Sequence, residues 1–303
     1  MATDIAALDN PEIGRETVGK ALSPRQVIWR RFLKNRMAVI GMISFALLIL
    51  FVVVGSFIIT EDIANAVDLQ IRLSNPSNAH LMGTDETGRE IFARIIHGGQ
   101  ISLFVGFTSV ILSVVLGTLI GGLSGYFGGW VDNTIMRVMD VVLAFPSLLL
   151  AIAIVTVLGP GLINALLAIG IVSIPAYARV VRGSVLSVRE MDYVSATRSL
   201  GGNTYEILFR RILPNALTPL IVQGTLGIAS AILETAALSF LGLGAQHPTP
   251  EWGSMLGQER NQVFTAPHLV FYPGLAIMLT VLAFNLLGDG LRDALDPRLA
   301  HVS

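Results

Sequence analysis

Residues 141–178 read VVLAFPSLLLAIAIVTVLGPGLINALLAIGIVSIPAYA, 38 positions without one charged side chain. As a single helix this stretch would run about 57 Å at 1.5 Å per residue, against a hydrocarbon core of about 30 Å. Gly159, Pro160 and Gly161 interrupt it, three helix breakers in a row. The stretch therefore reads as two membrane spans joined by a tight turn. Four more uncharged stretches flank it: residues 37–60, 95–131, 212–233 and 261–288. The third of these, 212–233, continues past the single acid Glu234 to residue 250. Each can hold the roughly 20 apolar residues that a spanning helix needs. The expected spans are about 37–59, 101–124, 134–158, 162–181, 214–242 and 270–289. The expected fold class is all-α, a polytopic membrane protein with six transmembrane helices.

Composition agrees. Of the 303 residues 53% are hydrophobic and 14% charged, with a mean hydropathy of +0.69. A soluble domain carries about 25% charged residues, so this chain has too little polar surface to face water all round. The net charge of −1 excludes the electrostatic footprint of a nucleic-acid binder. With no cysteine, a disulfide framework, a thiolate metal site and a cysteine nucleophile are excluded. The first apolar segment begins after residue 36 and is 24 residues long, unlike the short apolar region of a cleaved signal.

Basic residues set the orientation. With the N-terminus in the cytoplasm, sixteen of the twenty lysines and arginines fall inside. The outside keeps Arg72, Arg89, Arg94 and Arg260. Both termini are thus expected in the cytoplasm. The organisation is a tail over 1–36, a first span over 37–59 and an outside loop over 60–100. A five-helix core over 101–290 follows, with a cytoplasmic loop at 183–213, and a second tail over 291–303. In the outside loop, Ile91, Phe92, Ile95 and Ile96 form an apolar stripe, which predicts a short helix around 87–96. Gly83, Thr84 and Asp85 are expected to precede it as a turn and cap, the whole packing as an external lid.

Several short strings suggest chemistry and fail on their context. Residues 14–21 nearly match a phosphate-binding loop, but Ala21 stands where a hydroxyl must reach magnesium. Gly122-Leu123-Ser124-Gly125 resembles the nucleophile segment of an intramembrane protease. The five histidines, His80, His97, His247, His268 and His301, lie in loops, span edges or the tail, so Ser124 lacks a base. There is no His-Glu-x-x-His for a zinc protease. No catalytic or metal site is expected. Gly117, Gly121, Gly125 and Gly129 recur every four residues, which lets helix backbones approach closely in lipid. They suit either a moving interface or static packing. Glu234 is the one carboxylate well inside a span; such groups face the bundle interior or water. It suits a pathway or gating role, or that of a hydrogen-bonded packing group.

The most informative polar segment runs from Arg182 to Pro214. Tyr193, Ala196, Thr197 and Leu200 share one helical face, and Gly201-Gly202 ends that helix. Asn203 with Glu206 forms a capping box for a second short helix, whose face carries Tyr205, Leu208, Phe209 and Ile212. Pro214 suits the first turn of the next span. A cytoplasmic helix pair, apolar on one side and basic elsewhere, either lies on lipid headgroups or docks in a partner's groove. Two short helices at an angle favour docking.

Asp192-Tyr193-Val194-Ser195-Ala196-Thr197-Arg198-Ser199-Leu200-Gly201, with Leu213-Pro214 after it, resembles the EAA loop of ABC-importer permeases. From about residue 25 on, the chain resembles the C-type permease subunit of dipeptide and oligopeptide importers, and it is also similar to glutathione-importer permeases. The resemblance rests further on the signature Gly83-Thr84-Asp85-Glu86-Thr87-Gly88-Arg89-Glu90. Phe240-Leu241-Gly242-Leu243-Gly244, Pro250-Glu251-Trp252-Gly253 and the tail from Leu287 to Pro297 add to it. Departures are Ser195-Ala196-Thr197 for the usual Glu-Ala-Ala, Arg211 for an apolar residue, and His247 for proline. The resemblance implies the type I importer permease fold and a place in the bacterial inner membrane. It implies a pore shared with a homologous B-type permease, two ABC ATPase subunits that bind ATP and magnesium, and a periplasmic solute-binding protein. The chain itself would bind no cofactor and catalyse no reaction. Peptides are the implied cargo, with nickel or another small solute as the alternative. A secondary transporter is the rival class, though it needs paired intramembrane charges and only Glu234 qualifies.

Overall fold

The computed structural model describes residues 24–295. The phosphate-loop-like string at 14–21 and the end of the tail motif, Asp296-Pro297, lie outside them. Among the described residues the regular structure is helical, apart from one isolated bridge between Thr84 and Glu90. α1 is Pro24–Lys34, α2 Arg36–Ile58, α3 Glu61–Asn65 and α4 Ile91–Phe127. α5 is Gly129–Leu143, α6 Ser147–Leu158, α7 Leu162–Arg189 and α8 Asp192–Ser199. α9 is Leu213–Ala216, α10 Thr218–Phe240, α11 Trp252–Gln258 and α12 His268–Leu295.

Helices α2, α4, α7, α10 and α12 are each long and apolar enough to cross a bilayer. The expected third span, 134–158, is not one rod. α5 and α6 meet at an angle of 90°. The cause is local: Pro146 carries no N–H to donate back, and a residue before proline is pushed out of the helical region. Pro146 itself is extended, with φ −57° and ψ 127°.

The path of the chain still makes the bent pair a crossing. α4 and α7 run parallel. Ser109 Oγ donates to Leu166 O at 3.1 Å, and Ser113 Oγ to Gly170 O at 2.7 Å. One turn further on, a Cβ on Gly117 would lie 2.7 Å from Tyr177 Cβ, and one on Gly121 2.2 Å from Ala178 O. At Gly125 it would meet Arg182 O at 3.0 Å. The contact row is thus 109, 113, 117, 121, 125. It extends the expected glycine row toward the N-terminus and drops Gly129, which has open space around it. Two parallel helices need a return path, and α5–α6 supplies it. Counted so, the spans number six.

The second span also differs from expectation. α4 is continuous over 37 residues, about 55 Å, so the short outer helix expected near 87–96 is its first turns. His97-Gly98-Gly99 does not break it, because the Trp252 ring fills the space that side chains would occupy. A Cβ on Gly98 would sit 3.1 Å from Trp252 Cδ1, and one on Gly99 2.9 Å from Cζ2.

α2 is peripheral and runs antiparallel to α12. Asn35 caps it through Oδ1 to the N–H groups of Met37 and Ala38, and donates from Nδ2 to Asp293 Oδ2 at 2.8 Å. Phe45, Phe107 and Phe284 form a ring cluster behind it. The N-terminus of α2, the α4–α5 junction and residues 190–217 lie at one end of the bundle. Residues 59–90, the 159–161 turn and residues 241–267 lie at the other, where Gly161 N–H donates to Leu243 O at 3.0 Å.

Gly121 and Gly183 make a matched test of the seam. Gly121→Val drives a branched side chain into the α7 backbone; overpacking of this kind costs about 1–3 kcal/mol. Folded yield and the unfolding temperature in detergent are expected to fall. Gly183, on α7 with open space around it, takes Ala with no loss and up to about 1 kcal/mol of gain from helix propensity.

Candidate functional site

Three places gather the residues singled out in the sequence. The first is the segment between α7 and α10. α8 starts at Asp192, and its one buried residue is Val194. Tyr193, Ala196 and Leu200 are exposed, Leu200 at 89%, and Thr197 is half-buried. Gly201 holds φ +87°, a conformation that glycine adopts without strain. Asn203 Oδ1 then accepts from Glu206 N–H at 2.8 Å, as the capping box requires. The second helix differs from expectation. Glu206–Ile212 winds as a π-helix, leading directly into α9. Its wider turn breaks the 3.6-residue stripe, so the four expected residues do not share a face. Leu208 and Ile212 are buried with Ile207, which the stripe left out, whereas Tyr205 (65% exposed) and Phe209 (37%) point outward and stack at 5.0 Å. Leu213 is buried against Gly122, and Pro214 is exposed in the first turn of α9.

This surface stands on a rigid base. Val194, Ile207, Leu208 and Ile212 join Val185 and Val188 of α7 in one core. The Tyr193 hydroxyl donates to Arg211 O at 3.4 Å and accepts from Asn215 Nδ2 at 3.1 Å, tying α8 to α9. Arg189 donates to Gly125 O and Tyr126 O at 3.0 and 3.2 Å, satisfying the last carbonyls of α4.

The second place is the cap at the opposite end. Gly83 and Gly88 have φ near +79° and +78°. Thr84 is buried, bonding Ser74 N–H and Ile71 O. Asp85 does not cap α4, contrary to expectation; the N-cap is Glu90, which makes no side-chain capping bond. Asp85 is instead the hub of the cap. Its Oδ1 accepts from Thr87 N–H, Thr87 Oγ1 and Arg89 N–H at 2.7–3.0 Å, and Oδ2 takes Arg89 Nε at 2.7 Å. Arg94 Nε lies 3.8 Å away, and both arginines are buried. Burial alone would raise the Asp85 carboxyl, but the Thr87 hydroxyl and Arg89 outweigh it and hold it below the ordinary value.

Residues 241–267 complete the cap with groups to which the sequence reading gave no role there: His247, Glu251 and Trp252 entered it as family features, and Glu259 not at all. Arg89 Nη1 donates to His247 Nε2 at 2.8 Å; burial and the two arginines push that imidazole down, which keeps the accepting nitrogen free of a proton. Trp252 Nε1 donates to Ile95 O at 2.9 Å. Glu251 caps α11 through Ser254 N–H and accepts from Ser102 Oγ, fully buried, and its carboxyl is raised by that burial. Glu259 lies beside Asp85 and Glu86, and burial with these like charges pushes it up to about 7. Nothing in the spacing of Asp85, Arg94 and Glu259 along the chain announces that they lie together, because more than half of the chain separates Arg94 from Glu259.

The third place is Glu234. It is half-buried on α10, and its Oε1 accepts from Ser147 Oγ, the first residue of α6, at 2.9 Å. Ser124, the lone serine of the protease-like string, is buried and donates to Asp132 with no histidine near it. No group of three or more metal-ligating side chains occurs among the described residues.

Residues 113–301 match the family described as binding-protein-dependent transport system inner membrane component. Residues 23–76 match the N-terminal transmembrane domain of oligopeptide transport permease C. The chain is 48% identical over 279 residues to the dipeptide transport system permease protein DppC of Alkalihalophilus pseudofirmus, covering 92% of this chain and 91% of that one. It is 47% identical over 277 residues to the glutathione transport system permease protein GsiD of Pectobacterium atrosepticum, covering 91% and 92%. Among solved structures, the MetNI methionine ABC transporter in an inward-facing form shares the fold at a TM-score of 0.56. Identity there is 18%, over 67% of this chain and 97% of that chain.

The cap yields a pH test with a definite sign. Asp85→Asn leaves Arg89 and Arg94 buried without their anion, a change that costs about 3–5 kcal/mol. The unfolding temperature is expected to drop accordingly. The Asp85 contribution is present above its unfolded pKa and is lost as pH falls through the lower folded value. Glu259 has the opposite sign. Its folded pKa of about 7 exceeds 4.5, so its contribution is full below 4.5 and is lost as pH rises through about 7. The exchange protection of residues 83–94, corrected for the intrinsic pH dependence of amide exchange, is expected to fall across that window in the wild type and to stay level in Glu259→Gln.

Proposed function

This chain belongs to the family of binding-protein-dependent transport system inner membrane components, and from that premise we propose that it is the C-type permease of an ATP-driven importer of short peptides. It forms the translocation pore with a homologous B-type permease. Two ABC ATPase subunits bind ATP and magnesium below it, and a periplasmic binding protein delivers cargo to the cap. The relatives named for dipeptide and glutathione transport support the cargo class, since both cargoes are short peptides. Sixteen of twenty basic residues at one set of loops and termini support an orientation with both termini in the cytoplasm.

The observation that carries the coupling role is the surface between α7 and α10. Tyr193, Leu200, Tyr205 and Phe209 are exposed together, while the residues beneath them are locked into the core. A segment that only rested on headgroups would not need so rigid a base. A preformed shape binds with little ordering cost. Asp192, Ala196, Thr197 and Gly201 hold the shape or line its rim, and Leu213 and Pro214 join it to α10. The cap, with Gly83, Thr84, Asp85, Gly88 and Arg89 at its centre, is the lid against which cargo is handed over. An importer switches only if its ligands bind two states differently; ATP on the partners and loaded binding protein at the cap are those ligands.

Reconstitution with the partner subunits tests the whole reading: ATP-dependent uptake of a dipeptide or glutathione is expected, and none without the ATPases. Topology is tested separately. The chain has no native cysteine, so Glu86→Cys, exposed on the cap, is expected to react with a membrane-impermeant thiol reagent from outside. Reaction only from the cytoplasmic side would invert the orientation.

For the coupling surface, Gly201→Val is strained because a β-branched residue rarely adopts positive φ, although the space beside Gly201 is open. The spans are expected to insert and the B-type partner to bind, while the ATPases dissociate or hydrolyse ATP without transport. Phe209→Ala removes about 1.5–3 kcal/mol of apolar burial, so ATPase retention is expected to weaken roughly tenfold or more. Co-purification of the ATPases at wild-type yield with normal uptake in both variants would refute the docking role.

A further inference from the structure

α5 and α10 carry three carboxylates, Asp132, Asp140 and Glu234, and the structure treats one of them differently. Asp132 is held bidentately by Arg182, with both oxygens 2.5 Å from guanidinium nitrogens. Asp140 pairs with Arg179 at 2.8 Å. Glu234 forms no ion pair among the described residues; its hydrogen bond is with the Ser147 hydroxyl alone, through Oε1. It sits as residue 17 of the 23 in α10, about 9 Å short of the cap end. Its neighbours on the uncovered side, Ser230, Leu233 and Ser147, are exposed.

A carboxylate inside a span is costly unless a counter-charge or water meets it. One neutral hydroxyl does not replace the guanidinium that Asp132 and Asp140 each have. The second oxygen, Oε2, makes no hydrogen bond among the described residues, and the residues beside it, Ser230 and Leu233, are exposed. The missing partner is therefore a cation that this chain does not supply. A short peptide with a free N-terminus carries one, the α-ammonium, and it must pass the membrane with the cargo. Resting on the peptide reading above, we infer that Glu234 is the counter-charge that receives the cargo's ammonium group within the translocation path, with Ser147 orienting the carboxylate toward it. Glu234 thus selects for cationic amines at the membrane, after any selection made by the binding protein. The ammonium donates to Oε2 while Ser147 Oγ continues to donate to Oε1, and no proton needs to move.

The assembled importer, reconstituted in vesicles with its partner permease, ATPases and binding protein, gives the test. Uptake of L-alanyl-L-alanine and of glutathione is measured for the wild type, Glu234→Gln, Glu234→Asp and Ser147→Ala. Gln keeps an oxygen for Ser147 and removes the charge; Ala removes the hydroxyl and keeps the charge. Glu234→Gln is expected to lower uptake about tenfold or more, and Ser147→Ala to stay within about threefold of wild type, as fits a charge-assisted contact against a neutral one. Glu234→Asp is expected to recover most of the rate, with subunit composition unchanged throughout. Wild-type uptake in Glu234→Gln would overturn the inference. An equal fall in Ser147→Ala would overturn it by making the carboxylate a clasp for the α5–α6 bend. Loss of the partner permease from the Gln complex would overturn it by placing Glu234 at the subunit interface. A wild-type importer that takes up neither peptide would instead reject the cargo reading, and this inference with it.

Discussion

Backbone-to-backbone contact between α4 and α7 is the constraint from which the other features follow. Lipid tails are as apolar as leucine side chains, so helices in a membrane gain from close packing and interhelical hydrogen bonds rather than from escaping water. Ser109, Ser113, Gly117, Gly121 and Gly125 put nothing larger than a hydroxymethyl group in the way, and the two serines turn proximity into hydrogen bonds with α7 carbonyls. Because the pair is parallel, the chain must recross the membrane between them. That places the bent α5–α6 segment on the outside of the seam. It also ties the two ends of the bundle together: α4 begins directly after the cap residues at 83–90, and α7 is followed at once by α8.

Charge is scarce in this chain, and its placement follows a rule. On α5, where apolar packing is thin, ion pairs hold the structure. The sole buried residue of α5 is Asp132, and that helix is fastened to α7 by Arg182 and Arg179. The cap, outside the hydrocarbon, holds its loops around Asp85 with Arg89 and Arg94, beside an apolar cluster of Ile91, Ile95, Trp252, Met255 and Leu269. In both places the carboxylate meets a guanidinium, whose planar fork suits two carboxylate oxygens at once.

Much of this was legible in the sequence, and the misses have common causes. The long uncharged stretches located the spans, since the bilayer admits few alternatives to helices. Gly201 announced its turn because positive φ restricts the choice of residue. The 90° break at Pro146 was missed because the apolar run continues through it, and hydropathy does not register direction. The continuity of α4 was missed because the outer stripe at 87–96 and the apolar run from 101 were read as separate helices; Gly98-Gly99 between them is covered by Trp252, from the far half of the chain. The π-winding of Glu206–Ile212 defeated a stripe drawn at about 3.6 residues per turn, exchanging the roles of Ile207 and Phe209. The buried neighbourhood of Asp85, Arg94 and Glu259 was invisible because it exists only after distant segments meet.

α4 also has a mechanical meaning. A helix without an internal break behaves as a stiff rod over this length, and this one overruns the hydrocarbon core by roughly 25 Å. It is gripped by Trp252 near one end and by Arg189 at the other. With a pivot near one end, a tilt of about 5° would carry the far end through about 5 Å, a displacement the size of a side chain. Motion at one face of the membrane can thus reach the other as rigid leverage, with no loop in between to absorb it.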